Sequence, residues 1–291
     1  DREKYDQEIT LITYSSIVID TKKDESLRLL NPDNVELVLT DEAHESQTEK
    51  RFNARDQFQN AIRIGFTGTA FNIFNYGELI HQISISEAIQ EGMLSGVSTR
   101  LITINYDISD FELSGEDFKP EDIERFIKES QLFKALSEIY IKNFTDSEGN
   151  FKQGLFFFNT IEQAEKQAEV FRNLGIGSYA IHSNLENSER ERIDKAFRES
   201  KFPVLCAIRS ISRGWDYPDL GLVVNALPSA SPERIAQQAG RALRISDNDP
   251  DKVAIVIDVL LKDKKERQVI YADILEDVEI KRKRVGTQTD E

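Results

Sequence analysis

The sequence is short of the residues that staple or anchor a chain. It has one cysteine, Cys206, in 291 residues, which excludes an internal disulfide. The flanking VLCAI reads as a buried strand, so Cys206 is expected to be a structural thiol in a reducing, cytoplasmic setting. No apolar run approaches the ~18–20 residues of a membrane span. The N-terminal DREKYDQE is charged, lacks an initiator Met and carries no secretory signal. The chain is therefore expected to start inside a longer protein. None of its 14 glycines is followed by lysine, so the phosphate-cradling GxxxxGK[ST] loop is missing from these residues.

What is present reads as a globular α/β protein. The chain is 39% hydrophobic and 31% charged, with 37 basic against 52 acidic residues and a net charge of −15. That excludes a surface coated in positive charge, though not a local basic groove. The length suits one large domain or two medium ones. Apolar runs and amphipathic stretches alternate, which predicts a mainly parallel sheet. Strands are expected at 8–13, 35–40, 62–67, 99–106, 154–158, 178–182, 204–208, 222–226 and 253–259. Several are solid apolar runs, as suits strands covered by helices on both faces. Thr160 with Gln163 forms a capping box before a helix that Gly175 stops, and Ser231-Pro232 starts another. The acidic, turn-rich ISDFELSGEDFKP (108–120) has little periodicity, and a boundary is expected near 97–118, with the first unit taken as 1–98. A second unit is then expected over 99–262, with a charged helix and tail over 263–291.

Four segments carry chemistry. The run ELVLTDEAH ends in Asp41, Glu42 and His44 at a strand tip, where α/β sheets place ligands. One acid there suits a water-shelled Mg²⁺ and its neighbour an attacking water. GFTGTA presents Thr67 and Thr69 at the next strand end. In SPERIAQQAGRALRIS, a helix begun at Ser231 would set Gln237, Arg241 and Arg244 at i, i+4 and i+7, on one face and without a carboxylate among them. Guanidinium groups fit phosphate oxygens. In SRGWDYP, Gly214 permits close backbone approach and Asp216 offers an acceptor. Alone, each admits a plainer reading: an acidic turn, a strand–turn, a solvated basic face, a partly buried Trp215.

In their order, DEAH, GFTGTA, GLFFFNTIEQAE, RGWDYP and QQAGRALR resemble motifs II to VI of superfamily 2 helicases and translocases of the DEAH-box kind. LITYSSIV resembles the Thr-Tyr segment that contacts the tracking strand. SISEAIQEGMLSGVSTR resembles the crossover of the branch holding XPB-like repair helicases and restriction-enzyme motor subunits. The resemblance spans 8–262. It implies two RecA-like domains, the first incomplete at its N-terminus, with ATP and Mg²⁺ as cofactors in the cleft between them. It also implies a nucleic-acid partner, DNA in preference to RNA, and no membrane. Nuclease, methyltransferase or repair domains would lie outside these residues.

By the same resemblance, Asp41 would hold Mg²⁺ through water and Glu42 would activate the hydrolytic water. His44, Gly214, Asp216 and Gln237 would serve the nucleotide, and Thr67 and Thr69 would couple the domains. Arg241 would face the γ-phosphate, with Arg244 as an arginine finger. Thr13, Tyr14 and Asn159 would meet nucleic acid. Three departures stand out. Gly68 and Ala70 replace the usual Ala and Pro of motif III. Ile208 replaces a threonine before motif V. The phosphate loop and its lysine are missing, so the 291 residues are expected to be catalytically incomplete by themselves.

Overall fold

The computed structural model describes residues 8–20, 30–43, 49–68, 79–115, 117–208, 215–261 and 268–275. The chain divides into two compact units, Asp1–Gln82 and Ile83–Glu291.

The first unit holds α1 (Tyr14–Asp20), β1 (Leu37–Thr40), α2 (Glu49–Asp56) and β2 (Ile62–Gly65). The strands pair in parallel from Leu37↔Ile62 to Thr40↔Gly65. The strand expected at 8–13 does not form. Instead Thr13 Oγ1 accepts from Ser16 N at 3.2 Å and opens α1, a local side-chain bond that competes with an extended backbone. Among the described residues, β1 and β2 leave Leu37, Leu39 and Ile62 exposed, so helical cover on both faces is not found here.

The second unit runs α3 (Ile85–Gln90), β3 (Gly96–Ile104), β4 (Leu113–Ser114), β5 (Asp117–Phe118), α4 (Pro120–Ser130), α5 (Leu132–Phe144), β6 (Gly154–Phe158), α6 (Ile161–Asn173), β7 (Ser178–Ile181), α7 (Asn187–Arg198), β8 (Val204–Ile208), β9 (Leu222–Asn225), α8 (Pro232–Ala239), β10 (Val253–Leu261) and α9 (Tyr271–Leu275). Six of its strands form one sheet in the order β3-β10-β9-β6-β8-β7. Each neighbouring pair is parallel. Every residue of β6 and β9 is buried. Alternate side chains leave opposite faces of the sheet. Phe156, Phe158 and Val224 pack with Tyr140 of α5 and Phe171 of α6. Leu155, Phe157 and Val223 pack with Ile193 and Phe197 of α7. The result is a three-layer RecA-like α/β unit.

Local signals account for the helix ends. Thr160 and Gln163 exchange bonds in the expected capping box, and Gly175, at φ 80°, turns the chain after α6. The boundary expected at 98/99 lies earlier, at 82/83. The reason is β3, which pairs with β10 from Gly96↔Val253 to Ile104↔Leu261 and so ties residues 96–98 to the second sheet. Most of the charged C-terminal helix and tail expected over 263–291 lies outside the described residues. Leu261 still belongs to β10, the Gln268 side chain bonds both backbone groups of Leu261 at 3.0 and 2.9 Å, and helix is described at Tyr271–Leu275.

Candidate functional site

Asp41 and Glu42 follow directly on the C-terminal end of β1, and both are exposed. The backbone is pinned around them. Phe66 N donates to Thr40 O at 2.8 Å and Ala43 N to Phe66 O at 2.9 Å. Asp41 Oδ1 accepts from Glu42 N at 2.9 Å. Glu42 sits at φ 48°, a left-handed conformation that costs a non-glycine residue ~1–2 kcal/mol. Such strain collects at functional sites. Thr67 is half-buried, one residue beyond Phe66, at the same end of the strand pair. His44 and Thr69 lie outside the described residues.

Mg²⁺ usually keeps several waters and takes one or two carboxylates together with substrate phosphates. An exposed strand-tip Asp41 fits that role. Among the described residues no group of three or more His, Cys, Asp or Glu side chains is arranged to hold a metal by itself.

The arginines are arranged differently from the single helical face expected. Helix α8 ends at Ala239, with Gly240 as its cap. Beyond it the chain tightens: Arg241 N bonds Gln238 O, Ala242 N bonds Ala239 O and Leu243 N bonds Gly240 O, all i to i−3. Gln237 is therefore on the helix, while Arg241 and Arg244 project from the turn after it. Their partners come from the 215–216 segment. Arg241 Nη1 donates to Trp215 O at 2.9 Å, and Arg244 Nε lies 2.9 Å from Asp216 Oδ1. The carboxylate partner of Arg244, Asp216, thus comes from outside the helix. Gln237 Nε2 reaches Glu233 Oε1 at 3.4 Å. Gly214 lies outside the described residues.

Trp215 is half-buried and anchored. Its Nε1 donates to Asp194 Oδ1 at 2.6 Å, and its ring meets Phe197 and Tyr217. Asn159, at the end of β6, accepts from Arg234 Nη2 through its Oδ1. Thr13 is exposed at the start of α1, and Tyr14 has the Arg51 guanidinium over its ring, 5.4 Å from the centroid. Burial pushes the Cys206 thiol up, as suits a structural thiol. A cavity of about 520 Å³ beside β7 is lined by Glu165, His182 and Glu189 among others and holds none of the expected site residues.

Sequence reasoning missed Asp194 and Arg198. They are an i, i+4 acid–base pair on α7, 2.8 Å apart, and that spacing was the available signal.

The SWI2/SNF2 ATPase family matches residues 3–130, and the helicase conserved C-terminal domain matches residues 131–246. Together these two matches run over residues 3–246 and support a member of helicase superfamily 2. The junction of the two matches falls inside the second compact unit. The putative mitochondrial ATP-dependent helicase irc3 of Schizosaccharomyces pombe is 29% identical over 241 residues, 79% of this chain and 39% of its own length. The 51.5 kDa protein of a Lactococcus phage is 24% identical over 229 residues, 76% of this chain and 48% of its own. The chain thus spans less than half the length of these curated relatives. In fold it is similar to S. cerevisiae Dbp5 bound to RNA and ADP BeF3, with a TM-score of 0.54 and 16% identity over 85% of this chain and 58% of that one.

Proposed function

We propose that these residues form part of an ATP-driven nucleic-acid motor, a helicase or translocase of the DEAH-box kind close to the XPB-like and restriction-motor branch. The observation that carries this reading is the pairing of Arg241 and Arg244 with Trp215 and Asp216, in a chain that also sets Asp41 and Glu42 at a strand tip.

Asp41 would hold a hydrated Mg²⁺, and Glu42 would accept a proton from the attacking water. Mg²⁺–ATP, when bound, supplies the phosphoryl group and part of the charge neutralisation. Arg241 and Arg244 stabilise the negative charge that builds on the transferring phosphoryl oxygens. Gln237, Gly214 and His44 assist at the nucleotide. Thr67 and Thr69 relay its state between the units, and Thr13, Tyr14 and Asn159 touch the polymer. Asn159 would do so with an amide already steadied by Arg234. The acids belong to the first compact unit and the arginines to the second. These 291 residues hold no phosphate loop, so we expect hydrolysis from the intact protein and little from them by themselves. The buried Cys206 accords with work in a reducing compartment, and no helix among the described residues is long and apolar enough to cross a membrane.

The track in this reading is DNA, on the strength of the crossover segment SISEAIQEGMLSGVSTR. The experiment is ATP hydrolysis by the intact protein with single-stranded DNA, duplex DNA or RNA. The reading expects stimulation by DNA and its loss in Glu42→Gln. Hydrolysis equal in all arms, or absent, favours a binding module that keeps only the motor's shape. A nuclease or methyltransferase domain in the intact protein would make this the motor of a restriction system.

A further inference from the structure

Trp215 and Asp216 are gripped from two sides. From α7, Asp194 Oδ1 takes the Trp215 indole N–H at 2.6 Å, and Arg198 Nη1 donates to the Asp216 carbonyl at 2.5 Å. Arg198 Nε closes the pair by donating to Asp194 Oδ2 at 2.8 Å. The Arg198 guanidinium also lies over the Trp215 and Tyr217 rings, 5.4 and 5.3 Å from their centroids. From the turn after α8, Arg241 holds the Trp215 carbonyl and Arg244 the Asp216 carboxylate.

The chemistry of each contact sets an orientation. An indole N–H only donates, and a carboxylate is its strongest acceptor. With the ring fixed by Asp194 and stacked by Arg198, the Trp215 carbonyl has one direction in which to meet Arg241. Arg198 fixes the Asp216 carbonyl, and thereby the backbone from which the Asp216 carboxylate reaches Arg244. Helix α7 is itself seated by Ile193 and Phe197, 3% and 0% exposed. A displacement of α7 has a short, fully bonded route to both arginines.

We propose that Asp194 and Arg198 are positioning residues, holding Arg241 and Arg244 in their working orientation through Trp215 and Asp216 and passing movement of α7 to them. The proposal rests on the motor reading for what the arginines do, but not for the coupling itself.

Trp215 is the sole tryptophan of the chain, so its emission reports on the clamp directly. In the 291-residue chain, Asp194→Asn should shift that emission. It should also speed amide exchange at 241–246 about 5- to 10-fold, leaving 154–158 unchanged. Trp215→Phe, which keeps a ring and drops the donor, should speed exchange at 241–246 alike, and the double variant should add little. In the intact protein Asp194→Asn should lower kcat about 5- to 20-fold with KM for ATP within twofold, and Asp194→Glu should recover part. Unchanged exchange at 241–246 in both single variants overturns the proposal, as does an unchanged kcat in an intact protein that hydrolyses ATP. If Asp194→Asn also loosens 154–158, Trp215→Phe decides. If the intact wild type hydrolyses no ATP, the motor reading fails, and the exchange data alone settle the clamp.

Discussion

Arg244 Nε rests 2.9 Å from Asp216 Oδ1, with the two side chains 47% and 51% exposed. An ion pair so open to solvent stabilises a fold by ~0–1 kcal/mol. Releasing Arg244 to a phosphate therefore costs little. Asp216→Ala should leave the denaturation midpoint nearly unchanged, within ~1 kcal/mol. Arg244→Ala should cut kcat of the intact protein by about 10²–10³-fold and keep ATP affinity within a few fold. Parallel measurement of kcat and ATP binding checks this, and equal loss of both counts against a role in the chemical step.

Glu42 combines an exposed carboxylate with a left-handed backbone at φ 48°. The two features separate by substitution. Glu42→Gln keeps the backbone and loses the base, so the intact protein should bind ATP and lose hydrolysis by at least about 10²-fold. Glu42→Gly removes the base and also relieves strain, so its stability should rise by ~0.5–1 kcal/mol while hydrolysis is lost. Chemical denaturation beside an ATPase assay gives both readings.

The parts of this fold that could be read beforehand are those where one physical demand dominates. The runs at 154–158 and 204–208 match β6 and β8 at both ends, because burial on both faces demands uninterrupted apolar residues. The helix after Thr160 was legible because its cap is local. The arrangement around Arg241 and Arg244 was not. Helical periodicity carries a face forward without showing where the helix stops. At Gly240 a Cβ would come within 3.1 Å of Ala236 O, and there the chain tightens into i to i−3 bonds. The arginines' partners, Trp215 and Asp216, are brought in by the loop before β9, a tertiary pairing that no spacing rule encodes. The i, i+4 spacing of Asp194 and Arg198 marks that pair, but not that Asp194 takes the Trp215 indole. The exposed apolar residues of β1 and β2 were unreadable for the opposite reason, since periodicity reports what a strand wants covered and not what covers it.

Asp258 lies 2% exposed on β10, opposite Asn225 of β9. It accepts from Asn225 Nδ2 at 2.6 Å and from Tyr271 N at 2.7 Å. Burial dominates, and the carboxyl is pushed up from 3.8 to about 6, with Asp273 adding to the rise and the two donors opposing it. The folded state therefore binds more protons than the unfolded one between about pH 4 and 6. Stability should fall as pH rises through that window and level off above it, by on the order of 3 kcal/mol for this group. Asp258→Asn should remove the slope. Asp146, Glu189 and Glu199 are pulled down by their own hydrogen-bonded partners and act the other way at lower pH. The readout is thus the difference between wild type and variant in urea titrations from pH 4 to 7.5.

Asp117 gathers four donors on one carboxylate. Phe118 N and Ala230 N reach Oδ1 at 2.9 Å, Ser229 Oγ reaches Oδ2 at 3.1 Å, and Arg234 Nη1 reaches Oδ2 at 2.6 Å. Arg234 in turn donates to Asn159, so this one acid ties the β4–β5 hairpin to the start of α8 and the end of β6. The Arg234 side chain is 10% exposed and that of Asp117 25%. Removing one member of a largely buried pair strands the other charge, a loss of ~3–5 kcal/mol when burial is complete. With Asp117 a quarter exposed, Asp117→Ala should cost toward the lower end, about 3 kcal/mol. Asp117→Asn should cost less, because it keeps an acceptor for Arg234 or the Ala230 amide. Arg234→Met in the Asp117→Ala background should recover part of the loss by removing the stranded guanidinium. Urea midpoints of the three proteins test the order, and an Asp117→Ala variant as stable as wild type would show that the hairpin contributes nothing to seating α8.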